Sequence, residues 1–193
     1  MFRITKDAAG VELPGSKGPI LLTHGLYSGV EDWLLQDSDP TLPSTPIQLA
    51  NLGFDVWMAA SRGREVYSRT HATLDPNDPI EGEQYWDYSF ETVGLNDYPA
   101  MVDKIIETRQ DACSKVTIVT HSSGSNSALV LAAADPALQD KVDRIVSLAP
   151  CLEAEIDNFW LPLKDLSSIA MFYDLLASNG IHSLFGPDHL TNI

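Results

Sequence analysis

Short apolar segments alternate with helical patterns through the first 150 residues of the chain. The predicted strands are Pro19–Thr23, Phe54–Ala59, Lys115–Thr120 and Val142–Ala149. Between them, Ser44-Thr45-Pro46 begins one predicted helix and Asn96 or Asp97 caps a second, while Gly124–Ala134 is the third. Strands that alternate with helices form parallel sheets whose faces the helices cover, so this order predicts an α/β fold.

The pattern changes after Pro150. Residues 151–193 are rich in large apolar side chains, and a helix is predicted near Asp165–Ala177 that is apolar around most of its circumference. Such a helix needs cover on more than one side, or it faces an apolar ligand. The sequence therefore divides into a unit over residues 1–150 and a different, helical region over residues 151–193.

The charge of the chain excludes some classes of partner. Twelve Lys+Arg against 27 Asp+Glu give a net charge of −15, which argues against binding nucleic acid or an anionic membrane surface. The seven acidic residues between Thr70 and Val102 are interpreted as a solvated face, because the stretch lacks the ordered spacing of a calcium-binding EF-hand loop. Cys113 and Cys151 are in no metal-ligand spacing, so we expect no metal site. No apolar stretch approaches the ~18 residues of a membrane span.

The segment His121-Ser122-Ser123-Gly124 lies between a predicted strand and a helix rich in small residues. The nucleophile elbow of serine hydrolases needs this context, because its serine occupies a sharp turn with small neighbours. Ser122 is therefore the candidate nucleophile. Thr120 stands where the first glycine of the motif is expected, and its β-branched side chain is expected to distort the turn. The alternative is a serine- and threonine-rich loop that only caps a helix.

The tripeptide His24-Gly25-Leu26 follows the first predicted strand. In α/β-hydrolases a backbone N–H from this loop and the N–H after the nucleophile form the oxyanion hole. These would be the N–H groups of Leu26 and Ser123, which makes both residues catalytic candidates. His121 lies inside the elbow, where its side chain points away from the serine. We interpret it as a structural or pocket residue rather than the catalytic base.

Four sequence blocks resemble the acid lipases, the family of gastric lipase and lysosomal acid lipase. They are LTHGL (22–26) with Trp33; GFDVW (53–57) with SRG (61–63) and YSRxH (67–71); WDYSF (86–90) with DYPAMVD (97–103); and HSxG (121–124) with LAP (148–150). The second and third blocks are specific to this family among α/β-hydrolases. The resemblance implies an α/β-hydrolase fold with a mostly parallel sheet flanked by helices. Residues 1–150 would form the N-terminal part of its core, and residues 151–193 would begin a helical cap.

The resemblance also implies a reaction, the hydrolysis of a lipid carboxylic ester such as an acylglycerol or a steryl ester. Ser122 would be the nucleophile, with no metal or organic cofactor. Ser123 departs from the family, which has Gln there. The Asp and His of the family's triad follow the cap, so we expect the chain to be incomplete and to lack both. Asp188-His189 follows the serine, but adjacent residues hold triad geometry poorly and are interpreted as surface residues.

Two other functions fit the same residues. One is a non-catalytic, truncated or degenerate α/β-hydrolase fragment with at most a lipid-binding or interaction role, which Thr120 and the expected lack of partners favour. The other is an acyltransferase on the same fold. The implied partners are a lipid ester and, through the cap, transient contact with a lipid interface; the oligomeric state is not predicted. The N-terminus has no signal-peptide pattern, although the family is typically secreted or lysosomal.

Overall fold

A five-stranded sheet lies at the centre of the computed structural model. The model describes residues 1–7, 9–26, 28–35, 42–64, 68–109, 115–134 and 136–150, together with Leu175 and Ser178. The strands are β1 (Phe2–Ile4), β2 (Pro19–Thr23), β3 (Asp55–Ala59), β4 (Val116–His121) and β5 (Val142–Leu148), in the spatial order β1-β3-β2-β4-β5. Strands β2 to β5 are parallel, and β1 is antiparallel to β3. The predicted, mostly parallel sheet is confirmed.

Helices connect the parallel strands, as crossovers between parallel neighbours require. They are α1 (Glu31–Leu34) and α2 (Thr45–Asn51) between β2 and β3; α3 (Glu81–Trp86), α4 (Phe90–Thr92), the π-helix π1 (Val93–Asp97) and α5 (Tyr98–Arg109) between β3 and β4; and α6 (Gly124–Ala134) and α7 (Leu138–Lys141) between β4 and β5. The predicted bounds of α6 are confirmed. Gly53 follows α2 with φ +94°, as a C-terminal glycine should.

Apolar side chains pack on both faces of the sheet. Alternate residues of β2 point to opposite sides, so Leu21 lies in one cluster with α5 and α6, while Ile20 and Leu22 lie in another with α2. Every residue of β2 and of β3 is buried. This double burial explains why both strands read in the sequence as continuous apolar runs rather than alternating ones.

The second helical region begins earlier than the sequence predicted. Neither Asn96 nor Asp97 is an N-cap; the cap is Ser89, whose hydroxyl accepts a hydrogen bond from the Glu91 N–H at 3.1 Å. From Val93 the chain forms π1, in which the Tyr98 N–H donates to the Val93 carbonyl five residues earlier, and then continues as α5. The prediction failed because an α-helical start was assumed just before Pro99, whereas the helical chain already runs through it.

A buried carboxylate fixes the amino end of β3. The side chain of Asp55 is 2% exposed and accepts hydrogen bonds from Arg3 at 2.8 Å, Arg109 at 2.8 Å and the Trp57 indole at 2.9 Å. Burial by itself raises the pKa of Asp55, but these donors outweigh it and hold the pKa below its ordinary value. This ion-paired cluster lies at the end of the parallel strands opposite Ser122, so its role is structural.

Strand β5 lies at the edge of the described sheet, with Val146 and Leu148 exposed. The predicted cap over residues 151–193, including the helix expected near Asp165–Ala177, falls outside the described residues except for Leu175 and Ser178. The boundary at residue 150 therefore stays a prediction. Among the helices in the described part of the chain, none has the length and apolar character needed to cross a bilayer.

Candidate active site

Ser122 occupies a sharp turn between β4 and α6. Its φ of +51° lies in the left-handed region, which a non-glycine residue seldom adopts and which is frequent at functional sites. The Ser122 N–H donates to the Leu148 carbonyl at 2.9 Å, which continues the pairing of β4 with β5. The Ser122 carbonyl accepts from the Ser125 N–H at 2.9 Å, which begins α6. The turn is thus anchored on both sides of the serine.

Two glycines allow the loop after β2 to approach this turn. A Cβ at Gly25 would lie 3.0 Å from the Ser122 Cβ and 3.3 Å from the His121 Nδ1. A Cβ at Gly124 would lie 2.5 Å from the carbonyl oxygen of His24. The backbone of His24 and Gly25 therefore packs directly against the turn, and any larger side chain at Gly124 would force the two segments apart.

Thr120 does not distort the turn, contrary to the expectation from its branched side chain. It belongs to β4, pairs in register with Thr23 of β2, and is 0% exposed. Its Oγ1 lies 2.7 Å from the Oγ of Ser125, which is also 0% exposed. The small, polar Ser125 leaves room for the threonine and pairs with its hydroxyl. The motif alone does not reveal this partner, because Ser125 lies five residues after Thr120 and outside the motif.

The orientation of the two predicted oxyanion donors follows from peptide geometry. In a trans peptide the C=O and the N–H point in opposite directions, so holding one fixes the other. The Gly25 carbonyl is held at 2.8 Å by the His24 Nδ1, which directs the Leu26 N–H away from that ring. The Ser122 carbonyl is held by the Ser125 N–H within α6, which directs the Ser123 N–H outward from the helix. In the described part of the chain neither donor has a hydrogen-bond acceptor.

The ring of His24 is held as a neutral tautomer. The Ser61 N–H donates to its Nε2 at 3.1 Å, so the ring proton must be on Nδ1, where it is donated to the Gly25 carbonyl. Burial lowers the pKa of His24, and the Arg64 charge lowers it further, whereas the bond to Gly25 acts in the opposite direction. In the sequence, His24 is recognisable only as part of the His24-Gly25-Leu26 motif. Its orienting role depends on Ser61, a contact between distant segments that no local pattern reveals.

No base for Ser122 is found among the described histidines. Both ring nitrogens of His24 are engaged, and His71 accepts hydrogen bonds from the N–H groups of Thr73 and Leu74. His121 is exposed at the end of β4, and no hydrogen bond joins it to the Ser122 Oγ. Asp188 and His189 lie outside the described residues. Within the ranges that the structure describes, no group of three or more His, Cys, Asp and Glu side chains could hold a metal ion.

The known proteins to which the chain is similar in sequence are lipases. The chain is 30% identical to Lipase 1 of Drosophila melanogaster over 188 residues, covering 97% of this chain and 38% of that protein. It is 31% identical to gastric triacylglycerol lipase of Mus musculus over 175 residues (89% and 40%), and 32% identical to lipase member M of Homo sapiens over 151 residues (77% and 33%). The chain thus spans 33 to 40% of the length of these relatives.

No protein-family model matches the chain. Among solved structures, the Bacillus licheniformis lipase BlEst2 aligns over 90% of this chain and 62% of that one, with 14% identity and a TM-score of 0.45. With an α/β-hydrolase core and these lipases as its relatives, the chain belongs to the acid lipase family.

Proposed function

We propose that the protein hydrolyses carboxylic esters of lipids, such as acylglycerols or steryl esters, with Ser122 as the nucleophile. Ser122 Oγ attacks the ester carbonyl, and the N–H groups of Leu26 and Ser123 stabilise the tetrahedral oxyanion. A histidine takes the serine proton and an aspartate orients its imidazole; the described residues show neither partner bonded to Ser122. The lipid ester binds beneath the predicted cap, whose surface makes transient contact with a lipid interface.

The observation that carries this proposal is the left-handed φ of Ser122 at a strand–helix turn against Gly25. A serine that only caps a helix has no need of this conformation, because an N-cap residue normally lies in the β region. The energetic cost of a left-handed serine, about 1–3 kcal/mol, is accounted for if the turn must direct the Oγ above the sheet. The names of the relatives, which include a gastric triacylglycerol lipase, support a lipid ester as the substrate class.

The exposed Leu26 side chain supports an apolar substrate. Leu26 is 65% exposed, although it follows a buried strand and lies one residue from Gly25 at the elbow. An exposed apolar side chain next to Gly25, whose backbone packs against the Ser122 turn, is a suitable contact for an acyl chain. Each buried methylene contributes about 0.8 kcal/mol, so kcat/KM should rise up to about fourfold per methylene until the pocket is filled.

The test is a chain-length series on protein expressed from its complete transcript. We expect p-nitrophenyl octanoate to be cleaved with higher kcat/KM than the butyrate, and the butyrate with higher kcat/KM than the acetate. Ser122→Ala should reduce turnover to the roughly 10³–10⁴-fold acceleration over water that remains in other triad enzymes without their nucleophile. Ser127→Ala is the matched control, since this buried serine of α6 bonds to the Phe90 carbonyl and not to the elbow.

Three results would contradict the proposal. Preference for the acetate would refute the apolar pocket, and full activity in Ser122→Ala would refute the nucleophile. An absence of turnover in the complete protein would favour the non-catalytic alternative. Ester consumption that depends on an added acceptor alcohol would instead indicate acyl transfer.

A further inference from the structure

Tyr98, at the start of α5, contacts both segments that carry the proposed oxyanion donors, through Thr23 and Gly124. The adjacent Asp97, at the end of π1, contacts the loop after β3. Neither residue lies at the turn itself, and the reaction proposed above uses neither.

The phenol of Tyr98 joins the end of β2 to the start of α6. The side chain is 1% exposed, and its Oη donates to the Gly124 carbonyl at 2.9 Å. The same Oη lies 2.8 Å from the Oγ1 of Thr23. Since the single phenol proton is used for the carbonyl, the Thr23 hydroxyl must donate to Oη. One oxygen atom therefore connects the residue before His24 with the residue after Ser123.

The carboxylate of Asp97 holds the loop that orients His24. Its Oδ2 accepts the backbone N–H of Arg62 at 2.9 Å, and its Oδ1 accepts the Arg62 Nε at 2.7 Å. Although Arg62 is a surface residue, the Asp97 side chain is only 9% exposed. The residue before Arg62 is Ser61, whose N–H donates to the His24 Nε2. Asp97 thus reaches the Gly25–Leu26 peptide through Ser61 and His24.

Packing against α6 fixes the position of this pair. A Cβ at Gly94 of π1 would lie 2.4 Å from the Ser127 carbonyl and 2.8 Å from the Val130 side chain, so π1 and α6 are in backbone contact. Short π-helical segments occur often at functional sites. Here π1 ends at Asp97, directly before Tyr98, and its backbone packs against α6, the helix that follows the Ser122 turn.

We propose that Asp97 and Tyr98 are positioning residues that set the Leu26 N–H and the Ser123 N–H relative to each other in the oxyanion hole. This inference rests on the proposed function. Tyr98 sets the distance between the two segments, and Asp97 sets the tilt of the Gly25–Leu26 peptide through His24. A displacement of about 1 Å at a catalytic group is enough to lower a rate about 100-fold.

The test uses Tyr98→Phe and Asp97→Asn in protein expressed from its complete transcript. We expect kcat for p-nitrophenyl butyrate to fall about 10- to 100-fold with KM nearly unchanged, because the oxyanion forms only on the way to the transition state. Affinity for an alkyl trifluoromethyl ketone, which forms a tetrahedral oxyanion on the serine, should fall by the same factor as kcat. A purely structural role would not produce this parallel loss.

The matched controls are Tyr85→Phe, which removes a buried phenol bonded to the Arg69 carbonyl at 2.8 Å, and Asp103→Asn, which removes an exposed carboxylate of α5 that pairs with Lys141. Both should keep kcat within about twofold, since surface and remote changes of this kind have small effects. If Tyr98→Phe fails to fold, Asp97→Asn decides the question. An unchanged kcat in a folded variant, or a loss confined to KM, would overturn the inference. If Ser122→Ala also kept full activity, the proposed function itself would have failed.

Discussion

The buried hydroxyl pair of Thr120 and Ser125 allows the packing beneath the elbow to be tested quantitatively. Their oxygens are 2.7 Å apart, and both residues are fully buried. In Thr120→Val or Ser125→Ala, one hydroxyl is left buried without its partner, which costs about 1–3 kcal/mol. In the double variant neither hydroxyl remains, and Val has the shape of Thr. The double variant should therefore be about as stable as the better single variant.

The measurement is a double-mutant cycle by urea unfolding of the four proteins. We expect an interaction free energy of about 1–3 kcal/mol between the two positions. Thr117→Val, a half-buried threonine on the same strand, controls for the change of side chain. Single-variant costs that add to within about 0.5 kcal/mol would show that the hydroxyls are not coupled. Pairing with the Ser125 hydroxyl would then not explain how the turn tolerates Thr120 where the motif has glycine.

Four other predictions concern the turn at Ser122, the two glycines beside it, the buried Asp55 and the activity of residues 1–193. Ser122→Gly should unfold at a urea concentration equal to or above that of Ser122→Ala, because relief of a left-handed side chain, about 1–2 kcal/mol, offsets the ~0.5–1 kcal/mol entropy cost of glycine. Gly124→Ala should lower the melting temperature more than Gly25→Ala does, since its Cβ would meet a backbone oxygen at 2.5 Å rather than a side-chain atom at 3.0 Å. Because the pKa of Asp55 is lowered in the folded state, its ionised form stabilises the fold above the unfolded pKa of about 3.8, and this stabilisation is lost as pH falls through the folded pKa. Asp55→Asn should lower the free energy of unfolding by about 3–5 kcal/mol at pH 7, and the free energy of unfolding of this variant should fall less below about pH 4 than that of the wild type. Residues 1–193 alone should show little p-nitrophenyl butyrate turnover, because no described imidazole bonds to the Ser122 Oγ. Ser122-dependent turnover by that chain as a soluble monomer would contradict this and make His189 the candidate base.

The elements that the sequence predicted well are those with local signals. Helix α6 is bounded by Gly124 and by the approach to Pro136, and the apolar runs of β2 and β3 are buried on both faces. In α5, Met101, Val102 and Ile105 are buried and Ile106 is partly buried against the same cluster, as expected for an apolar stripe with helical spacing. In each case the residues that define the element lie within it or directly beside it in the sequence, so no tertiary information is needed.

The features that the sequence did not predict depend on distant partners. Strand β1 joins the sheet only through antiparallel pairing with β3, more than fifty residues later in the chain. The π-helix has no distinct sequence signature, and its hydrogen bonds differ from those of an α-helix only by one residue in register. The sequence predicts Asn96 or Asp97 as a helix cap, whereas the Asp97 carboxylate binds Arg62, 35 residues earlier in the chain. The roles of His24 and Ser125 likewise depend on tertiary contacts, with Ser61 and Thr120 respectively, and cannot be predicted from local sequence.

The most direct test of the central claim is the site of covalent labelling by a fluorophosphonate probe. The probe is applied to the protein expressed from its complete transcript, and the modified peptide is identified by mass spectrometry. We expect a single adduct on Ser122, absent in Ser122→Ala and retained in Ser123→Ala, because Ser122, and not Ser123, occupies the left-handed turn beside Gly25. Labelling that persists in Ser122→Ala and disappears in Ser123→Ala would place the nucleophile one residue later and contradict the account.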